Sequence, residues 1–69
     1  MKRLTLEEAV GCGRPVWLKF RLTPKYDGWG LFHSEHVPFL KFDMIGGARL
    51  MLKSDLYGDE WEAFPERTE

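Results

Sequence analysis

The sequence predicts a small α+β domain in which a short N-terminal helix is followed by about five antiparallel strands. Three observations lead to this prediction. A helix-capping pattern occurs near the start of the chain. From Pro15 onward, apolar residues recur with a period of two, which is typical of strands with one buried face. Glycine and proline interrupt this pattern at hairpin spacing, and a small SH3-like barrel is one arrangement that fits.

The segment that starts at Thr5 predicts the helix. Glu8 follows Thr5 at the spacing at which the two side chains satisfy each other's free backbone N–H groups. Glu7 and Glu8 also suit the positive end of the helix dipole. Gly11 or Gly13 can supply the left-handed residue that ends the helix. A helix of about two turns is too short to be stable in water alone, so we expect it to pack on the strands.

The first strand is predicted after Pro15. Because successive side chains of a strand point to opposite faces, one set is expected in the core and the other on an outer face. The predicted core set is Val16, Leu18, Phe20 and Leu22, and the predicted outer set is Trp17, Lys19 and Arg21. Asp27-Gly28 then predicts a tight hairpin turn, since this pair suits the positive φ values that such turns require.

The remaining strands are predicted at 29–35, 39–42, 48–53 and 60–64. Gly46-Gly47 marks a second hairpin turn. A polar turn before the last strand is expected to contain a single helical turn capped by Ser54 or Asp55. Residues 1–69 form one domain in this interpretation, because a chain of this length has room for one core, and residues 66–69 are expected to be a frayed tail.

Composition limits the class of protein. The 69 residues are 43% hydrophobic and 30% charged, which is typical of a chain that folds. The single cysteine, Cys12, cannot form an internal disulfide, and no leader-like or membrane-spanning apolar segment is found, so a cytoplasmic location in a bacterial host cell is expected. A core this small is worth only about 3–5 kcal/mol, and self-association is a common remedy. We therefore expect a homo-oligomer.

The charges are unevenly distributed. The net charge of −1 gives no general electrostatic case for direct nucleic-acid binding. Residues 1–25 carry six basic and two acidic groups, whereas residues 54–69 carry one basic and six acidic groups. The acidic end is either a solvated tail or a surface that mimics nucleic acid towards a basic partner.

The residues with possible chemistry do not form a catalytic pattern. His33 and His36 would point to opposite faces of a strand, and Cys12 has no partner at metal-ligand spacing. Nothing in the spacing places Cys12 or Ser34 beside a base. We therefore predict a protein that is not an enzyme and that has no metal or cofactor.

The outer face of the first strand is the predicted ligand site. Trp17, Lys19 and Arg21 would project together, and Tyr26 and Trp29 would flank the adjoining turn. Aromatic rings can stack on a base, and the two cations can pair with phosphate. Arg49 and Lys53 are candidates to join from a neighbouring strand. The alternative is that the tryptophans are core or dimer-interface residues.

Two short segments carry a resemblance. The opening Leu4-Thr-Leu-Glu-Glu-Ala-Val10 with Gly13-Arg-Pro-Val-Trp-Leu18, and the closing Asp55-Leu-Tyr-Gly-Asp-Glu-Trp-Glu62, resemble small proteins of phages and prophages of gut Firmicutes. They are also similar to the Thoeris anti-defence sponge family, whose members sequester a nucleotide signal in an oligomer. That family's central Arg-x-Gly-Trp-Asn-Gly turn is missing, since Asp27-Gly-Trp-Gly30 lies later and lacks the asparagine.

The resemblance implies a phage counter-defence protein. The leading hypothesis is one that sequesters a nucleotide-derived immune signal through Trp17, Lys19, Arg21, Tyr26 and Trp29. A second hypothesis is an anti-CRISPR-like inhibitor that binds a host defence nuclease through its acidic end. The residues proposed for that contact are Asp55, Asp59, Glu60 and Glu62. A third is a structural or accessory phage protein.

Overall fold

The computed structural model describes residues 2–68, and within them one helix and five antiparallel strands form a small α+β fold, as predicted. The elements are α1 (Leu6–Gly11), β1 (Val16–Phe20), β2 (Gly28–His36), β3 (Phe39–Met44), β4 (Arg49–Lys53) and β5 (Trp61–Phe64). Two 3-10 turns lie at Pro24–Tyr26 and Ser54–Leu56. The strands form one sheet in the order β4-β3-β2-β1-β5.

The predicted capping of α1 is confirmed. The Glu8 backbone N–H donates to the Thr5 hydroxyl at 3.1 Å, and the Thr5 backbone N–H donates to the Glu8 carboxylate at 2.9 Å. The hydrogen bonds from the Thr5 backbone and side chain lower the pKa of Glu8. Gly13, with φ of 71°, adopts the left-handed conformation that lets the chain turn into β1. Ala9 is the residue of α1 that is buried against the sheet.

One face of the sheet forms the core. Phe42 lies at its centre, with its ring 5.6 Å from that of Phe32 and 5.7 Å from that of Trp61. Gly30 faces Leu18 and Met44, and a Cβ at this position would lie 2.8 Å from each side chain, so a larger residue would require both side chains to move. The buried residues of the cluster are Ala9, Val16, Leu18, Leu40, Phe42, Trp61 and Ala63.

The connection between β1 and β2 differs from the prediction. Asp27-Gly28 is not a tight hairpin turn, because residues 21–27 form a longer loop that contains the 3-10 turn at Pro24–Tyr26. Proline suits the first position of such a turn. Asp27 instead accepts a hydrogen bond from the Phe20 N–H through its side chain, at 2.8 Å. β1 therefore ends at Phe20, and Leu22, which was predicted in the core, is 71% exposed.

Two turns show where local prediction succeeded and where it failed. Gly46 and Gly47 have φ of 121° and 100°, which confirms the predicted glycine turn between β3 and β4. The 3-10 turn before β5 also exists, but neither Ser54 nor Asp55 caps it. Its N-cap is Lys53, since Ser54 instead contacts the carbonyl of Pro38.

The ends of the sheet approach each other without closing a barrel. The ladder within residues 2–68 is open between β4 and β5, so a closed SH3-like barrel is not formed. The Trp61 indole N–H donates to the Lys53 carbonyl at 2.8 Å and joins the end of β4 to β5. The sheet thus has two edge strands, and a gap lies between them.

Candidate functional site

The edge of β5 is covered by other parts of the chain. The Arg21 N–H donates to the Glu60 carbonyl, so these two residues form a hydrogen-bonded pair that extends the antiparallel β1–β5 ladder. Because hydrogen-bonded and non-hydrogen-bonded pairs alternate along such a ladder, the backbone N–H and C=O groups of Trp61 and Ala63 point away from β1. The Ala63 carbonyl accepts from the Leu4 N–H at 2.9 Å, and the Trp61 carbonyl accepts from the Gly58 N–H at 2.8 Å. This edge therefore offers few free groups to a partner.

Tyr57 completes this cover. Its hydroxyl donates to the Leu4 carbonyl and accepts from the Ala63 N–H at 3.2 Å. Burial raises the pKa of Tyr57 above its ordinary value. The Tyr57 ring also packs edge-on against Trp61, at 4.7 Å between centroids.

The edge of β4 is left open. The Met44 N–H donates to the Ala48 carbonyl and the Ser54 N–H donates to the Pro38 carbonyl, so hydrogen-bonded pairs lie at both ends of the β3–β4 ladder. Because such pairs alternate with non-hydrogen-bonded pairs, the backbone N–H and C=O groups of Arg49, Met51 and Lys53 point away from β3. Within residues 2–68, the Lys53 carbonyl is bound by Trp61, and no strand pairs with this edge. An edge with free N–H and C=O groups is a template for pairing with another chain.

A groove of about 580 Å³ lies beside residues 51–53 of the open edge. Met51, Leu52 and Lys53 all line it, although successive side chains of a strand point to opposite faces, so the groove follows the backbone edge of β4. Leu22 and Met51, 71% and 55% exposed, flank it. The complete lining is Phe20, Leu22, Thr23, Phe39, Met51, Leu52, Lys53, Leu56, Glu60 and Trp61. The groove is the candidate functional site.

Cations border the groove on the β4 side. Lys53 lies 6.0 Å from the centre of the Phe39 ring, and Lys41 is the cross-strand neighbour of Met51. In the part of the chain that the structure describes, neither lysine has a carboxylate within 4.0 Å. Arg49 is paired, since its Nε lies 2.7 Å from Asp43, and the same hydrogen bond lowers the pKa of Asp43 and raises that of Arg49.

Trp17 occupies the predicted outer face but is only 8% exposed. Trp29 lies opposite it in the β1–β2 ladder, with the two ring centroids 5.5 Å apart. The guanidinium of Arg67 lies 5.2 Å from the Trp17 ring centre, so part of the segment expected to be a frayed tail covers this indole. Glu69, also part of the predicted tail, lies outside the described residues. Trp17 therefore has no open face for stacking in this conformation.

The predicted phosphate-binding cations lie beside acids. Lys19 and Arg21 line a pocket of about 260 Å³ together with Asp59, Glu60 and Glu62. Lys19 is directly opposite Glu62 in the ladder. Glu62 is also paired with Arg3, at 3.0 Å. The three cations and three carboxylates balance, so these groups together carry no net charge.

The other residues of the two predicted sites are spread out. Tyr26 lies in the 3-10 turn before β2, and its ring centre is 5.3 Å from the Lys25 ammonium. Arg49 and Lys53 lie on β4, which β2 and β3 separate from β1, so they do not join Trp17 through a neighbouring strand. Asp55 lies in the 3-10 turn Ser54–Leu56, away from the pocket that holds the other three acids.

The histidines and the cysteine stay apart. His33 contacts the Ser34 hydroxyl at 2.9 Å, beside an irregularity in the β2–β3 ladder. Cys12 is exposed, and its thiol contacts the Arg14 carbonyl at 3.2 Å. Among residues 2–68, no three His, Cys, Asp or Glu side chains are placed to share a metal ion. No helix in the same range has the length and apolar character needed to cross a membrane.

Comparison with protein-family models, with curated proteins and with solved structures found nothing that matches this chain. Its function is therefore proposed from its own geometry. Of the groove residues, only Lys53 and Glu60 were among the candidates from sequence, and Leu22 was missed because it fits the alternation of the core residues. Met51 and Lys53 were placed on a strand, but sequence does not reveal which strand lies at an open edge. A strand with exposed Arg, Met and Lys in alternation was the available signal.

Proposed function

We propose that this is a non-catalytic binding protein that captures an apolar segment of another polypeptide. The observation that carries the proposal is the groove beside β4, which is lined mainly by apolar side chains and lies at the uncovered edge of the sheet. Its volume of about 580 Å³ lies within the range of pockets that enclose specific ligands. No catalytic group is needed for this function.

The groove has the character of a protein-binding surface. Phe20 and Phe39 are only partly buried and supply rigid aromatic surface, and such residues dominate the energetics of interfaces. Leu22 and Met51 are exposed apolar side chains at its border. Covering a leucine or methionine side chain contributes about 1.5–3 kcal/mol, so these two residues alone favour a partner that removes them from water.

We keep the hypothesis, implied by the resemblance, that this is a phage counter-defence protein. The groove fits the class of inhibitor that binds a host defence protein. In this proposal the contact is made chiefly through the groove, and of the four acids expected from sequence only Glu60 lines it. The charge balance around Lys19 and Arg21 is the reason why we place protein binding ahead of nucleotide binding.

Selection of random peptides displayed on phage tests the proposal. We expect the protein to enrich peptides with a shared apolar pattern, and Leu22→Glu to weaken their binding about tenfold or more, because a charge replaces about 1.5–3 kcal/mol of apolar burial. Val37→Glu is the matched control, since Val37 is 83% exposed and lies outside the groove lining. Absence of a shared pattern, or equal binding by both variants, would contradict the proposal.

Sequestration of a nucleotide-derived signal is the second candidate function. It is favoured by the position of Lys19 and Arg21 at one pocket and by the buried Trp17 indole N–H, which has no partner within residues 2–68. Native mass spectrometry of freshly purified protein tests it and also reports the predicted homo-oligomer. This function predicts a co-purified ultraviolet-absorbing molecule that is lost in Arg21→Glu. Ligand-free protein from infected cells would count against it.

A further inference from the structure

We propose that the occupant of the groove is an extended acidic peptide that adds to β4 as a sixth strand. This inference rests on the proposed function and specifies the chemistry of the partner. Its backbone would pair with the open edge, its apolar side chains would enter the groove, and its carboxylates would face the cations of β3 and β4. Each of these three contacts follows from separate features of the structure.

The backbone contact follows from the difference between the two sheet edges. Leu4, Tyr57 and Gly58 already bind the outward groups of β5. On β4 the outward groups of Arg49 and Met51 have no strand opposite them within residues 2–68. Strand addition to such an edge is a recurring mode of peptide recognition, in which main-chain hydrogen bonds supply affinity. A residue opposite Met51 would both donate to and accept from it.

The side-chain contact follows from the alternation along β4. A peptide residue opposite Met51 would share the face that carries Arg49 and Lys53. Its two neighbours would point to the other face, that of Leu50 and Leu52. The neighbour opposite Leu52 would meet the groove, which Leu52 and Leu56 line with the rings of Phe20 and Trp61. Glu60 also lies in the groove and disfavours a further acid there. The two neighbours are therefore expected to be apolar.

The charges around β4 indicate which residues are expected at the two ends of the peptide. Lys53 and Lys41 have no carboxylate within 4.0 Å in the described part of the chain, and Arg49 has further N–H donors besides those that contact Asp43. Peptide residues opposite Arg49 and Lys53 lie directly across from these cations, where opposite charges are favourable. The residue opposite Lys53 contributes through its charge and not through an N–H bond to the Lys53 carbonyl, because Trp61 already binds that carbonyl. The expected pattern is an acid, three apolar residues and a second acid.

The same charges disfavour a second copy of this chain. Two β4 strands paired antiparallel about Met51 would place Arg49 of each copy opposite Lys53 of the other. Like charges that face each other across a ladder are destabilising, and charged edge residues protect sheets from self-pairing. An acidic peptide removes this conflict.

The probe is the capped peptide acetyl-Gly-Glu-Leu-Val-Leu-Glu-Gly-amide with a fluorescent label, and its affinity is measured by fluorescence anisotropy. We expect binding that weakens with salt and falls at least tenfold when lysine replaces both glutamates. N-methylation of the valine removes the N–H that would donate to Met51 and is expected to cause a similar loss. N-methylation of the second leucine, whose N–H points away from β4, is the matched control and is expected to retain most of the affinity.

The protein side is tested with Met51→Pro. Proline removes the outward N–H but no hydrogen bond of the β3–β4 ladder, and edge strands tolerate it. Met51→Thr keeps the N–H and loses the apolar side chain, so it separates the two contributions. We expect Met51→Pro to bind the probe peptide at least tenfold more weakly than Met51→Thr does. Circular dichroism is used to check that both variants are folded. Lys53→Glu should weaken binding, and Lys2→Glu, outside the groove lining, should not.

The outcomes separate this inference from the proposed function. If the groove selects peptides but N-methylation of the valine and Met51→Pro have no effect, binding occurs without strand addition and the inference is wrong. Selected peptides with no acidic residues would contradict the charge contact. If no peptide binds and Leu22→Glu changes nothing, the proposed function fails as well. Dimers that Met51→Pro dissociates would show that a second copy is the occupant and overturn the proposal.

Discussion

Replacement of Phe42 by alanine is expected to unfold the protein. Phe42 is fully buried, and its ring contacts both Phe32 and Trp61, so it joins the centre of the sheet to β5. A buried Phe→Ala change costs about 3–5 kcal/mol through lost burial and the cavity left behind. A core of this size is worth only about 3–5 kcal/mol in total. The substitution therefore removes most or all of the net stability.

Thermal unfolding followed by circular dichroism and tryptophan fluorescence measures this effect. Phe42→Ala is expected to show no cooperative transition and a fluorescence spectrum typical of solvent-exposed indoles. Phe39→Ala is the matched control, because Phe39 is only partly buried at the border of the groove, and this variant should keep a cooperative transition. A cooperative transition of Phe42→Ala close to that of the natural protein would show that the core does not depend on this ring.

Local patterns in the sequence predicted most of the fold. Thr5 and Glu8 form the capping contacts that their spacing indicates, and Gly46 and Gly47 turn the chain where expected. Both depend on interactions within a few residues. The Asp27-Gly28 turn was wrong because the competing element, the 3-10 turn at Pro24–Tyr26, starts earlier in the chain and takes up the residues between the strands.

The candidate site was harder to predict because it depends on strand order. The alternation in β1 correctly placed Trp17 and Lys19 on one face, but it did not reveal that β5 brings Glu62 opposite Lys19. Nor did it reveal that Arg67 covers Trp17. The open edge is a property of the whole sheet. It exists because β5 pairs with β1 rather than with β4, and no local pattern specifies that choice.

The second large effect is expected in the amide exchange of β4. The Leu50 and Leu52 N–H groups lie in hydrogen-bonded pairs with Phe42 and Leu40, so they exchange only when the sheet opens. The Arg49 and Met51 N–H groups point to the open edge. With about 3–5 kcal/mol of stability protecting the paired amides, the edge amides are expected to exchange at least about 100-fold faster.

Residue-resolved hydrogen exchange by NMR, with and without the acidic probe peptide, tests the open β4 edge most directly. Fast exchange is expected at Arg49 and Met51, slow exchange at Leu50 and Leu52, and new protection of Met51 when the peptide is bound. Equal protection of all four amides in the free protein would show that the edge is already paired, and the groove beside it would then not be a free binding site.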